Sequence, residues 1–125
     1  MSGKAQTKLY RSMLALVVFL TACSDSPNAR NQQIITDAIK QRLKDPDSLT
    51  LKNWRFSKVA KDTLQHACVE FNAKNSFGGY GEPSLAIARF YKGSWTITDL
   101  NGSIYDCEKR IAKTNNAAEF YAEGG

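Results

Sequence analysis

LAIARFYKGSWTITDLNGSIYDC, residues 85–107, is the stretch whose reading decides the fold class. Its first seven residues are apolar except Arg89, the pattern of a strand covered on both faces and so central in a sheet. Lys92-Gly93 then separates FY from SW, and Asn101-Gly102 separates TITDL from SIYDC. Asn-Gly is the strongest short hairpin signal, because both central residues of a type I′ turn need positive φ. Residues 85–91, 94–100 and 103–108 are therefore expected to form three strands of an antiparallel meander.

Upstream, residues 64–72 (LQHACVEFN) alternate, with Ala67, Val69 and Phe71 on one face and His66 and Cys68 on the other. Leu49 and Leu51 share one phase, whereas Trp54 and Phe56 share the opposite one. A bulge near Lys52-Asn53 reconciles them. Ile34, Ile35, Ala38, Ile39 and Leu43 recur at three- and four-residue intervals, which predicts a helix over residues 31–44. Lys40, Arg42 and Lys44 favour its C-terminal end, and Asp45-Pro46 stops it. A helix of about 14 residues is marginal alone, so its apolar stripe must pack on something. The sum is an α+β fold, with one N-terminal amphipathic helix packed on an antiparallel sheet of about four to five strands. Residues 111–125 alternate small and polar side chains before two terminal glycines, and are expected to be a weakly ordered tail.

The N-terminal region reads differently. Lys4, Lys8 and Arg11 are its only charges, and MLALVVFL (13–20) is too short for a bilayer span, which takes about 20 apolar residues. A basic segment, a short apolar run and small residues are the parts of a secretory leader. Leu20-Thr21-Ala22-Cys23 resembles a bacterial lipobox, in which cleavage leaves the lipidated Cys23 as the first residue. Two or three acyl chains, at about 0.8 kcal/mol per buried methylene, give a stable membrane anchor where one does not. The expected organisation is a leader (1–22), a lipidated Cys23 with a polar tether (23–31), one α+β domain (32–110) and the tail (111–125). Ser24 follows the cysteine. By resemblance to enterobacterial lipoproteins, the absence of aspartate there points to the outer membrane, facing the periplasm.

Export changes the meaning of the charge. The chain carries +5 overall, but loss of Lys4, Lys8 and Arg11 leaves 14 basic against 12 acidic residues. No run of Lys/Arg survives, so a nucleic-acid partner is not expected. Lipidation of Cys23 also leaves an even pair, Cys68 and Cys107, for which a disulfide is the default in an oxidising compartment. Closing a loop of about 40 residues contributes roughly 4 kcal/mol in the chain-entropy account.

The segment NAKNSFGGYGEP (72–83) holds three glycines and two aromatics between two strands. It reads either as a hairpin whose Phe77 and Tyr80 fold back over a sheet edge, or as an aromatic-tipped contact loop. It lacks the spacing of a phosphate-cradling loop. A helix ending in LKDPDS (43–48), followed by CVEFNAKNSFGGY (68–80), resembles a family of small bacterial, plasmid and prophage proteins, many of them lipoproteins. The family form is closer to CGEVNAKNSFGGY. Val69 and Phe71 replace its Gly and Val, while Asn72 through Tyr80 match throughout. The resemblance brings no enzymatic activity with it.

Chemistry-bearing residues are few. His66 and Cys68 share a strand face, as a thiolate–imidazole dyad would require. His66, Cys68, Asp106 and Cys107 form a conceivable metal set, but without the usual ligand spacing. No carboxylates pair for acid–base work. The expectation is a lipid-anchored, non-catalytic module without cofactor or metal that binds another envelope protein. Its contact surface is Phe77, Gly78, Gly79 and Tyr80, with exposed aromatics such as Trp54 or Tyr91. The alternatives are a small periplasmic enzyme or metal carrier using His66 and Cys68, and an exclusion factor of a phage or plasmid.

Overall fold

The computed structural model describes residues 27–122. The leader, Cys23 and Ser24 lie outside the described residues. Helix α1 (Pro27–Lys40) leads through a 3-10 turn (Pro46–Ser48) to strands β1 (Thr50–Phe56), β2 (Gln65–Asn72), β3 (Ser84–Tyr91) and β4 (Ser94–Gly102), and helix α2 (Ile104–Ala122) follows. The four strands form one antiparallel sheet in the order β1-β2-β3-β4, so the class is α+β and β3 is internal.

Several local expectations hold. The β1–β2 register shifts between Lys52 and Arg55, where Asn53 takes a φ of 58°, and Leu51 and Phe56 thereby face the same core. Lys92 and Gly93, with φ of 51° and 88°, form the two-residue connection between Tyr91 and its partner Ser94. Both values are those of a type I′ turn. The helix covers less of its C-terminal side than expected and more of its N-terminal side. It ends at Lys40, with Arg42 and Leu43 N–H groups bonding three residues back, and it includes residues 27–31 of the expected tether. Pro27 is compatible with a first turn because that turn needs no N–H from it.

The expectation of a single, N-terminal helix, a strand at 103–108 and a weakly ordered tail is corrected. α2 is a helix of 19 residues that spans both segments. Ser103 explains where it begins. Its Oγ accepts the Asp106 N–H at 3.0 Å and donates to the Asp106 carboxylate at 2.9 Å, a reciprocal cap of the Ser-x-x-acid type. From there Cys107, Ile111 and Thr114 recur at helical spacing and turn toward the sheet. Asn101-Gly102 is not a hairpin turn. Gly102 is the last residue of β4, paired with Leu85.

The sheet is covered on both faces. On one, Ala67, Val69, Ala86, Ala88 and Ile97 form a buried cluster with Ile35 and Ile39 of α1, the small alanines leaving room for the isoleucines. Trp54 and Phe56 stack at 5.8 Å beside this cluster, and Phe56 meets Trp95 edge-on at 6.2 Å. On the other face Cys68, Leu85 and Ile87 form a smaller cluster with Cys107 of α2. A Cys68–Cys107 disulfide crosses that interface, with the Cα atoms 6.2 Å apart.

Gly102 owes its place to packing. A Cβ there would lie 2.6 Å from Cδ1 and 2.9 Å from Cγ1 of the fully buried Ile87. Overpacking of this kind costs about 1–3 kcal/mol. Gly102→Ala is expected to lower the melting temperature by several degrees, and Ile87→Val in the same chain to recover part of the loss. An unchanged midpoint for Gly102→Ala by thermal denaturation would refute this account.

Candidate functional site

The loop between β2 and β3 is built from the side chain of Asn75. Its Oδ1 accepts the N–H of Phe77 at 2.9 Å and of Gly79 at 3.3 Å. The Asn75 N–H donates to the Gly79 carbonyl at 2.9 Å, and Gly78 N–H donates to the Asn75 carbonyl at 3.0 Å. An Asx turn of this kind replaces a ladder with local bonds and needs a residue that tolerates positive φ. Gly78, with φ of 80°, supplies it. Lys74 and Tyr80 pair across the base as an isolated bridge.

This small hairpin is docked on the turn that follows α1. Ser48 Oγ accepts the Lys74 N–H at 2.8 Å, and Tyr80 donates its hydroxyl to the Ser48 carbonyl at 2.8 Å. Lys44 Nζ donates to Ser76 Oγ at 2.9 Å. LKDPDS and NAKNSFGGY therefore meet at Ser48. The loop aromatics do not fold over a sheet edge together. Tyr80 is half-exposed and spent on the dock, whereas Phe77 is 96% exposed.

The other expected contact residues lie elsewhere. Trp54 is partly buried against the α1-side core and is not a free aromatic. Tyr91 is exposed, but the Arg89 guanidinium and the Lys92 ammonium lie 5.5 and 5.4 Å from its ring centroid.

On the α2 side, His66 and Cys68 do share a face, but each is committed. The Cys68 sulfur is bonded to Cys107, so in this form it offers no thiolate. His66 Nδ1 lies 2.8 Å from Thr114 Oγ, and that hydroxyl donates to the Arg110 carbonyl at 2.8 Å. A hydroxyl has one proton to give, so Thr114 accepts from the imidazole, and the proton of the neutral ring resides on Nδ1. Burial, followed by the positive charges of Arg110 and Arg89, pushes the His66 pKa below its ordinary 6.5. Among the described residues no three His, Cys, Asp or Glu side chains converge as metal ligands, and no helix is long and apolar enough to cross a membrane.

α2 segregates its charges about this axis. Toward β1, Glu108 pairs with Arg55 at 2.9 Å and Glu119 with Lys58 at 2.7 Å, while Asn115 accepts the Lys58 N–H. Toward β3, Lys109, Arg110 and Lys113 face a cleft shared with His66 and Arg89. Composition hid this arrangement. Residues 23–125 hold 14 basic against 12 acidic residues, and only helical spacing separates the two stripes.

A depressed His66 pKa sets a direction for stability. Above pH 6.5 the ring is neutral whether folded or unfolded. As pH falls below that value the unfolded chain binds the proton first, and stability is lost until the folded-state pKa is passed. Melting temperature is expected to decline between about pH 7 and 5.5, and His66→Asn, whose amide can replace the Nδ1 donor, to flatten that decline. An equal slope in both proteins would rule out His66 as the source. Comparisons with protein-family models, curated proteins and solved structures return no match to this chain.

Proposed function

We propose that the protein is a lipid-anchored envelope lipoprotein, attached through Cys23, that acts as a non-catalytic binding module for another envelope protein. The observation that carries this reading is Phe77. A large aromatic held outward on a loop with its own hydrogen-bond scaffold is already ordered for contact, so little conformational entropy is lost on binding. Rigid aromatics of this type dominate the energy of protein interfaces. Single exposed apolar residues are common on protein surfaces. Phe77 differs in that Asn75, Gly78 and Ser48 are all spent on presenting it.

The supporting chemistry is consistent with an extracytoplasmic home. A buried disulfide clips α2 to the sheet, as small exported domains often require. By resemblance, the leader and its LTAC cleavage region support the anchor, and Ser24 after Cys23 supports the outer membrane. The thiol–imidazole alternative needs a reduced Cys68, which would also remove the covalent tie between α2 and the sheet.

Two measurements test the proposal. The intact mass of membrane-extracted protein is expected to equal residues 23–125 plus acyl chains, with two thiols appearing only after reduction. A mass without acyl groups would refute the anchor. A photo-crosslinking residue at Ser76 is expected to give one discrete adduct in cells, and the same residue at Lys92 none. Phe77→Ala should abolish the adduct while changing the melting temperature by no more than about 2 °C, as for other surface positions. Tyr80→Phe should weaken the adduct and cost about 1 kcal/mol or less, the net value of one exposed hydrogen bond. Identical adducts from the wild type and Phe77→Ala would refute the loop as the contact site.

A further inference from the structure

We propose that the cleft between α2 and β3 is a second binding site, specific for the phosphate group of an organic phosphate ester. The cleft has a volume of about 470 Å³. That lies within the range of small-molecule sites, roughly 300–1,000 Å³. Arg89 reaches it from β3, and Lys109, Arg110 and Lys113 from one stripe of α2. Leu64 and Ala117 add apolar surface to its lining.

The charges are what distinguish this cleft. None of these four cations forms an ion pair with another described residue, as Lys52, Arg55 and Lys58 do, although Arg89 and Lys109 lie 5.5 and 6.0 Å from the ring centroids of Tyr91 and Tyr105. One carboxylate lines the cleft, that of Asp106, and it accepts the Ser103 hydroxyl in the helix cap. His66 contributes a neutral ring whose Nδ1 is fixed by Thr114, so its Nε2 is the remaining nitrogen. Four like charges against one carboxylate around one concavity focus a positive potential that favours a bound anion. Arginine forks match phosphate oxygens two at a time, and several cations suit a group that carries up to two negative charges. The volume and the apolar lining accommodate an organic substituent that inorganic phosphate lacks.

A bound anion would also reverse the electrostatics at His66. The groups facing it are Arg89 from β3 and Asp106, Lys109, Arg110 and Lys113 from α2, while the segment before β2 contributes only Leu64 to the lining. In the free protein burial, followed by the guanidinium charges of Arg110 and Arg89, opposes protonation. Phosphate beside Nε2 favours it, so affinity rises as pH falls through the titration of His66.

His66 is the single histidine of the chain, so its ring protons report the site without ambiguity. The test follows them by NMR in the full chain held in dodecyl maltoside micelles, which carry no phosphate. Saturable shifts with glycerol 3-phosphate, together with a raised His66 titration midpoint, are expected. Arg110→Gln with Lys113→Gln is expected to weaken the response at least tenfold, and Arg89→Gln alone to weaken it with α2 untouched. Phosphatidylglycerol added to the micelle is the second arm. A response to it alone identifies a lipid headgroup as the source, and a response to glycerol 3-phosphate shows that a soluble ester suffices. Silence toward both ligands would overturn the proposal, as would a wild-type response in the charge variants. Equal affinity for acetate or inorganic phosphate would overturn the assignment to an ester.

Discussion

The Cys68–Cys107 bond is the constraint on which the α2 half of the molecule depends. The noncovalent cluster beneath α2 is small, with Leu85 and Ile87 from the sheet and Ile111 from the helix. The bond ties the middle of β2 to the first turn of α2 across 39 residues. Seven residues further along α2, Thr114 meets His66, two residues back along β2. Those steps are about 10 Å along a helix and about 7 Å along a strand, so two attachments on one stripe set both the position and the direction of the helix. Every charge on α2 is then placed. Glu108 and Glu119 find cations toward β1, and Lys109, Arg110 and Lys113 are left around the cleft.

Much of the sheet was legible because its signals are local. The phase change between Leu51 and Trp54 required an extra residue, and Asn53 supplies it in the left-handed region that asparagine tolerates. The alternation of β2 and the two-sided apolarity of β3 follow from burial on both faces. The disulfide followed from counting cysteines once Cys23 was assigned to lipid. At α2 the Asn-Gly turn signal competes with the helical period after it, and the period prevails. Ser103 with Asp106 is a helix start, and Cys107, Ile111 and Thr114 continue at three- and four-residue steps. The glycine in that pair answers to Ile87, a neighbour that no local pattern reveals.

The loop was legible in composition but not in direction. Glycine at position 78 and asparagine at position 75 announce a tight turn, yet nothing local says that Tyr80 would reach back to Ser48 while Phe77 turned outward. That division depends on a turn 32 residues away in sequence, set by Pro46 after α1. The same dock joins LKDPDS to NAKNSFGGY. One forms the platform and the other the tip. The cationic cleft was not legible at all, since its members come from three elements.

Phe77 and the cleft sit at opposite ends of the β2–β3 pair. His66 pairs with Arg89 at one end, and Phe71 with Ser84 at the other, beside the loop. Five steps along the strand take His66 to Phe71, about 17 Å. The two surfaces can therefore be altered independently, and they make different demands on the fold. The loop needs the hydrogen bonds of Asn75 and the dock on Ser48. The cleft needs α2 to carry like charges at spacings of three and four residues, which costs about 0.2–0.5 kcal/mol per pair in an isolated helix. A cross-link worth roughly 4 kcal/mol outweighs that repulsion with margin. A helix held to the sheet mainly by apolar area would have to surrender positions to packing. One held by a sulfur–sulfur bond can leave a whole stripe to charge, and in this protein that stripe is the one facing β3.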